Sequence, residues 1–164
     1  MRNSFSVPYS DILFRSITKH LERRQQSDQN GTCLNGFSLY QNNCYIIGSQ
    51  GSEISWADAR LHCQTLGKNV DLVSIHSAFE QAYVAQQSNG VDTWIGLLNE
   101  DGNWAWVDNT PFDYHDWAPK EPSGDGSCVH LDQKRGMLWN DNNCDGNYGD
   151  HLYITQYICK ASAT

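Results

Sequence analysis

The sequence predicts an α+β domain in which two helices precede a series of short strands, with irregular polar loops filling a large share of the length. Three observations predict it. A helix-start signal occurs twice, as Ser55-Trp56-Ala57-Asp58 and as Ser77-Ala78-Phe79-Glu80, a hydroxyl followed three residues later by a carboxylate. From residue 91 the pattern changes period, and Trp94 to Leu97, Trp104 to Val107, Cys128 to Leu131 and Tyr153 to Cys159 read as β-type runs separated by Asn, Asp and Gly. Finally, six cysteines at 33, 44, 63, 128, 144 and 159 contain no C-x-x-C pair. Zinc ribbons and thioredoxin-type sites need that pairing, so three disulfides in an oxidising compartment explain the cysteines better.

At 164 residues the chain suits one domain with a substantial core. Residues 1–32 stand apart as a leader or stalk: they carry a net charge of +2, against −10 for the remainder. Phe14, Ile17 and Leu21, with Leu13 beside them, follow helical spacing, so Asp11 to about Arg24 can form a short amphipathic helix, with a mobile leader as the favoured reading, and residues 11–24 are where a homo-oligomer could form. Asn30-Gly31-Thr32 is an acceptor for N-glycosylation at Asn30, which suits an exported, extracellular protein. Met1 to His20 lacks the apolar region of a secretory signal, so the expectation is a signal removed before this numbering begins, or another export route. No apolar run reaches the length of a membrane span. The formal charge of −8 repels phosphate backbones and speaks against nucleic acid.

The first helix starts at Ser55 and carries Trp56, Ala59, Cys63 and Leu66 as one apolar stripe, ending at Gly67. The second starts at Ser77 and ends near Asn89-Gly90, with Leu72 to Ile75 as a short extended link between the two.

The densest chemistry lies in Glu121-Pro122-Ser123-Gly124-Asp125 and Trp139-Asn140-Asp141. Glu121, Asp125 and Asp141 are carboxylates, Asn140 an amide and Ser123 a hydroxyl: hard oxygen donors of the kind Ca²⁺ takes, six to eight at a time and from separate loop segments. Taken alone, the first segment is equally explained as a polar surface turn shaped by Pro and Gly. His20, His62, His76, His115, His130 and His151 give no His-Glu-x-x-His and no pair at i, i+4 on a predicted helix, and no Ser or Cys nucleophile has an evident partner. Glu121 and Asp141 as a glycosidase pair would lack a protonated acid once both shared a cation. The chain is therefore read as a binding protein and not an enzyme.

From Cys33 to Lys160 the chain resembles a C-type lectin-like domain of the long form. The resemblance rests on the cysteine order, Trp94-Ile95-Gly96-Leu97, Trp104 with Trp106, Trp117 ahead of Glu121-Pro122-Ser123, Trp139-Asn140-Asp141 before Cys144, and Tyr157-Ile158-Cys159-Lys160. It implies a fold of two helices with small antiparallel sheets and a long irregular calcium and ligand loop region over residues 33–160, leaving 161–164 as a tail. It also implies the pairings Cys33 with Cys44, Cys63 with Cys159 and Cys128 with Cys144, which arithmetic leaves open among fifteen connectivities.

For the site, the resemblance implies a cis bond before Pro122 and a single Ca²⁺ held by Glu121, Ser123, Asn140 and Asp141, the same side chains contacting a sugar. Glu121 with an uncharged third residue looks like the mannose type, so terminal mannose, fucose, N-acetylglucosamine or glucose on glycoproteins or cell surfaces is expected. This sequence departs from the family pattern in three places. Ser123 stands where Asn is usual. Gly126-Ser127 replaces an acidic ligand, leaving Asp125 as the nearby substitute. Asp145 to Asp150 lengthens the segment between Cys144 and Cys159 into an expected extra loop. A second calcium position looks unoccupied at Asn99 to Gly102. The competing reading is a domain of the same fold that binds a protein or lipid without calcium.

Overall fold

The computed structural model of the protein describes residues 31–146 and 154–164. The possible helix over residues 11–24, the acceptor Asn30, and Asn147 to Asp150 of the extra loop lie outside the described residues.

The chain opens with a hairpin of β1 (Ser38–Tyr40) and β2 (Asn43–Ser49). Its two connecting residues, Gln41 and Asn42, both have positive φ, at 46° and 61°, the twist that suits a tight antiparallel turn. Helix α1 (Trp56–Thr65) follows, capped by Ser55, whose Oγ accepts from the Asp58 amide at 3.1 Å and donates to the Asp58 carboxylate at 2.7 Å. Trp56, Ala59 and Cys63 are buried as the periodicity predicts, whereas Leu66 is 43% exposed. It occupies the cap position after the last turn, where it no longer lies over the buried face.

Strand β3 (Asp71–Leu72) leads to α2 (Ala78–Ser88), capped by Ser77 and ended by Asn89 in the left-handed conformation at φ 50°. Then come β4 (Thr93–Glu100), β5 (Asn103–Trp106), β6 (Cys128–Asp132), β7 (Leu138–Asn142) and β8 (Gln156–Ser162). The described strands join into one sheet in the order β1-β2-β8-β4-β6-β7, with β3 added to β8 and β5 to β4. All pairs are antiparallel except β4 with β8. Strand β8 continues through Ala161 and Ser162, and Thr164 and Thr32 exchange backbone hydrogen bonds at 3.1 and 2.8 Å, so residues 161–164 close the sheet instead of trailing from it.

The aromatic residues make the core that supports β7. Trp94 and Trp139 are fully buried, and Trp139 meets Trp106 and Trp117 edge-on at 5.5 and 5.7 Å. Three disulfides join Cys33 to Cys44, Cys63 to Cys159 and Cys128 to Cys144. The second ties α1 to β8, and the third ties the start of β6 to the segment after β7.

One expected loop is a strand. Trp139, Asn140 and Asp141 lie within β7, paired with Leu131, His130 and Val129 of β6. The run is polar yet buried, so neither alternation nor apolar content marks it in the sequence. Tertiary pairing forms it.

Candidate metal centre

The loop between β5 and β6 brings Glu121, Ser123 and Asp125 beside β7. Its Glu121-Pro122 bond is cis. Two contacts fix the loop to the strand. The Asp141 carboxylate, fully buried, accepts from the backbone amides of Ser123 and Gly124, each at 2.8 Å, and lies 3.5 Å from the Ser123 hydroxyl. Further on, a Cβ built on Gly126 would fall 1.7 Å from the Asn142 carbonyl carbon, so the two backbones touch there. A side chain in place of Gly126 has no room unless the Asn142 backbone moves.

Glu121 is nearly buried, with 4% of its side chain exposed. One carboxylate oxygen accepts from the Ser123 amide at 2.9 Å; the other is ion-paired with Arg135. Arg135 ends a 3₁₀ turn (Gln133–Arg135) between β6 and β7, and its Nε also meets Asp132 at 3.2 Å. The hydrogen bond to Glu121 holds the guanidinium yet more firmly in its charged form, outweighing the small cost of burial. Asp125 is exposed and faces the same guanidinium electrostatically. Together with Pro119, Lys120, Glu121, Ser123 and Leu138, Asp125 and Arg135 line a hollow of about 660 Å³.

Asn140 projects toward Asp132, its Nδ2 3.5 Å from that carboxylate. Its amide oxygen is buried and has no hydrogen-bond partner among the described residues. Such an oxygen costs about 1–3 kcal/mol when left unsatisfied, and a cation would satisfy it. By its chemistry the donor set of two carboxylates, one amide oxygen and one hydroxyl fits calcium, and the orphaned amide oxygen lies on the same strand as the Asp141 carboxylate. Glu121, Ser123 and Asp141 are brought together directly, Asn140 approaches from the Asp132 side, and Asp125 stands at the rim.

Sequence reasoning missed Asp92, His130 and Asp132, buried and with one ligand atom each within 4.8 Å of one another. Their carboxylates already serve the turn that carries Arg135: Asp92 accepts from the Gln133 amide at 2.7 Å and Asp132 from the Lys134 amide at 2.8 Å. Burial raises the Asp92 carboxyl above its usual range. Burial, with Arg135 adding to it, pushes the His130 ring down to about 3, against the opposing pull of the Asn140 backbone and Asp141. His130 is thus a neutral core residue at physiological pH. A larger hollow of about 880 Å³ lies elsewhere, along α1 and β8, where Arg60 pairs with Asp71 at 3.1 Å.

The model of the family described as Lectin C-type domain matches residues 52–160. Human asialoglycoprotein receptor 2 is 30% identical over 95% of this chain and 50% of its own length, so the chain spans about half of that relative. Among solved structures, the cow carbohydrate-recognition domain of CD23, crystallised in the presence of a GlcNAc2Man3 oligosaccharide, is 33% identical with a TM-score of 0.69, covering 82% of this chain and 98% of that one. A calcium-independent type II antifreeze protein superimposes equally well, with a TM-score of 0.69 at 27% identity, over 82% of this chain and 97% of that one. The helix order, the disulfide-braced sheet and the match over residues 52–160 agree: the chain belongs to the C-type lectin domain family.

Proposed function

We propose that this domain is an extracellular calcium-dependent lectin for terminal mannose, fucose or N-acetylglucosamine-type sugars on glycoproteins or cell surfaces. Glu121, Ser123, Asn140 and Asp141 would hold one ion, with Asp125 at the rim. The observation that carries the reading is the buried Asn140 oxygen, without a hydrogen-bond partner among the described residues, on the strand that also presents the buried Asp141 carboxylate to the cis-Pro122 loop. Calcium, when bound, supplies a hard cationic centre for sugar hydroxyl oxygens. Asn140 can then donate to a hydroxyl through its Nδ2, and Glu121 can accept from one. The arrangement offers binding and no general acid, so no catalysis is assigned.

A shallow site for one terminal sugar is weak, with Kd about millimolar, roughly −4 kcal/mol. Clustering through residues 11–24 would multiply it by avidity.

One observation favours a second reading, a calcium-independent binder of protein or lipid: Arg135 already neutralises Glu121. Titration of Ca²⁺ into chelator-stripped domain, followed by binding to mannose- and galactose-coated surfaces with and without calcium, separates the two. One calcium site with mannose binding that chelator abolishes supports the lectin reading; sugar or partner binding indifferent to chelator overturns it.

A further inference from the structure

Arg135 is not a loose surface side chain that happens to reach a carboxylate. Its turn is held at both ends by the fold. Gln133 and Lys134 donate their amides to Asp92 and Asp132, and Gly136, at φ 74°, lets the Met137 amide return to the Asp132 carbonyl at 2.8 Å. From this fixed base the guanidinium spans Glu121 and Asp132, whose side chains are 4% and 12% exposed, while 38% of its own side chain remains in contact with solvent. Two nearly buried carboxylates therefore share one cation that can still leave toward water.

The Glu121 oxygen bonded to Arg135 is one of the donors the calcium reading requires. A guanidinium and a divalent cation cannot both occupy that oxygen, because they repel each other at contact distance. We propose that Arg135 is the resident counter-ion of this site and sets its calcium affinity: calcium enters as the guanidinium leaves Glu121. This rests on the calcium-binding reading of the same residues. The apparent affinity is lowered by the fraction of molecules in which Arg135 holds Glu121, and linkage requires calcium to loosen that contact by the same factor. Arg135 keeps the metal-free site electrically balanced, since Glu121 would otherwise face Asp132 and Asp141 as an uncompensated buried charge.

The test compares the wild-type domain with Arg135→Gln, Arg135→Lys and, as a control in the distant hollow, Arg60→Gln, each titrated with Ca²⁺ by calorimetry and melted in chelator and in excess calcium. Arg135→Gln is expected to tighten calcium binding roughly tenfold, the scale of one charge-assisted contact. Arg135→Lys, a point charge without the planar fork, should fall between the two. Arg60→Gln should leave calcium affinity as in the wild type. In chelator Arg135→Gln should melt below the wild type, and excess calcium should close the gap. Equal or weaker calcium binding by Arg135→Gln, with the wild type still binding, overturns the proposal and leaves the calcium reading intact. Binding by Arg135→Gln alone supports the counter-ion role and overturns calcium-dependent sugar binding by the wild type. Calcium binding by none of the variants overturns both.

Discussion

The side chains of Asn140 and His130 sit opposite each other on β7 and β6, and burial acts on them in different ways. In Asn140 it strands an oxygen that a cation can use; in His130 it removes a charge. The histidine consequence can be measured. Its folded pKa of about 3 lies below the unfolded value near 6.5, so between these limits the unfolded chain binds a proton that the folded chain does not. Stability should accordingly rise with pH across that window and be lost as pH falls from 6.5 toward 3, with a limiting slope of about 1.4 kcal/mol per pH unit from this residue. Urea unfolding in chelator at several pH values should show this slope, and His130→Gln should flatten it whatever its effect at neutral pH; an unchanged slope would exclude His130 as the source. For the metal itself, Asn140→Ala combined with Asp141→Ala should abolish calcium binding and leave a folded, disulfide-bonded domain by circular dichroism. Unchanged calcium affinity would put the site elsewhere. Glu121, Ser123 and Asp141 stand out in the sequence as oxygen donors within a short span, and the structure brings them into contact. Arg135 does not stand out, since a single basic residue fourteen positions from its partner has no period and no motif to mark it.

At the scale of elements, β7 is the piece on which the site depends, and α2 holds it. Gln81, buried on α2, donates through Nε2 to the Met137 carbonyl and accepts through Oε1 from the Trp139 indole, both at 2.8 Å. Replacing it by leucine leaves a buried donor and a buried acceptor without partners, so Gln81→Leu should cost about 2–4 kcal/mol in denaturant unfolding and weaken calcium binding by misplacing Asn140 and Asp141. Stability unchanged to within about 0.5 kcal/mol would show that β7 is held in another way. The helix starts were readable because caps are local: Ser55 and Ser77 each lie three residues from the amide they serve. Ser55→Ala should cost about 1 kcal/mol. Strand β7 was not readable, because its polar residues are buried by partners far away in sequence, and the same holds for Gln81, whose amide looks like any exposed helix residue until Trp139 is placed against it.

Across the whole molecule the long disulfide matters most for the fold. Cys63 and Cys159 are 96 residues apart, and joining α1 to β8 restricts the unfolded chain over most of the domain. Replacing both by serine should destabilise the domain by about 2–5 kcal/mol, read as a fall in the denaturant midpoint. Loss of the Cys128–Cys144 bridge should instead weaken calcium binding more than it lowers stability, because it braces the segments on either side of the site. Sugar binding, if it depends on Glu121 and Asp141 as ionised ligands, should fade as the medium becomes acidic, since protons compete with metal; binding unchanged between neutral and strongly acidic buffer would sink the calcium account. The α+β class and the two helices were visible in the sequence from caps and period, but the expected order of helices before strands was not the whole of it: the hairpin β1-β2 precedes α1 and β3 lies between the helices. The joining of all the described strands into one sheet, and the parallel pairing of β4 with β8, depend on contacts between distant segments that no local pattern encodes.

The meeting of Thr32 with Thr164 gives this sheet a pole. Strands β1, β2 and β8 gather at one end of the strand order and β7, beside the Glu121 loop, forms the opposite edge, so the meeting of Thr32 with Thr164 belongs to the β1-β2-β8 end of the sheet. A domain attached there hangs like a pendant from one point. Several such domains gathered by their shared pole would then carry their β7 edges at the other end of the strand order, as a radiating array.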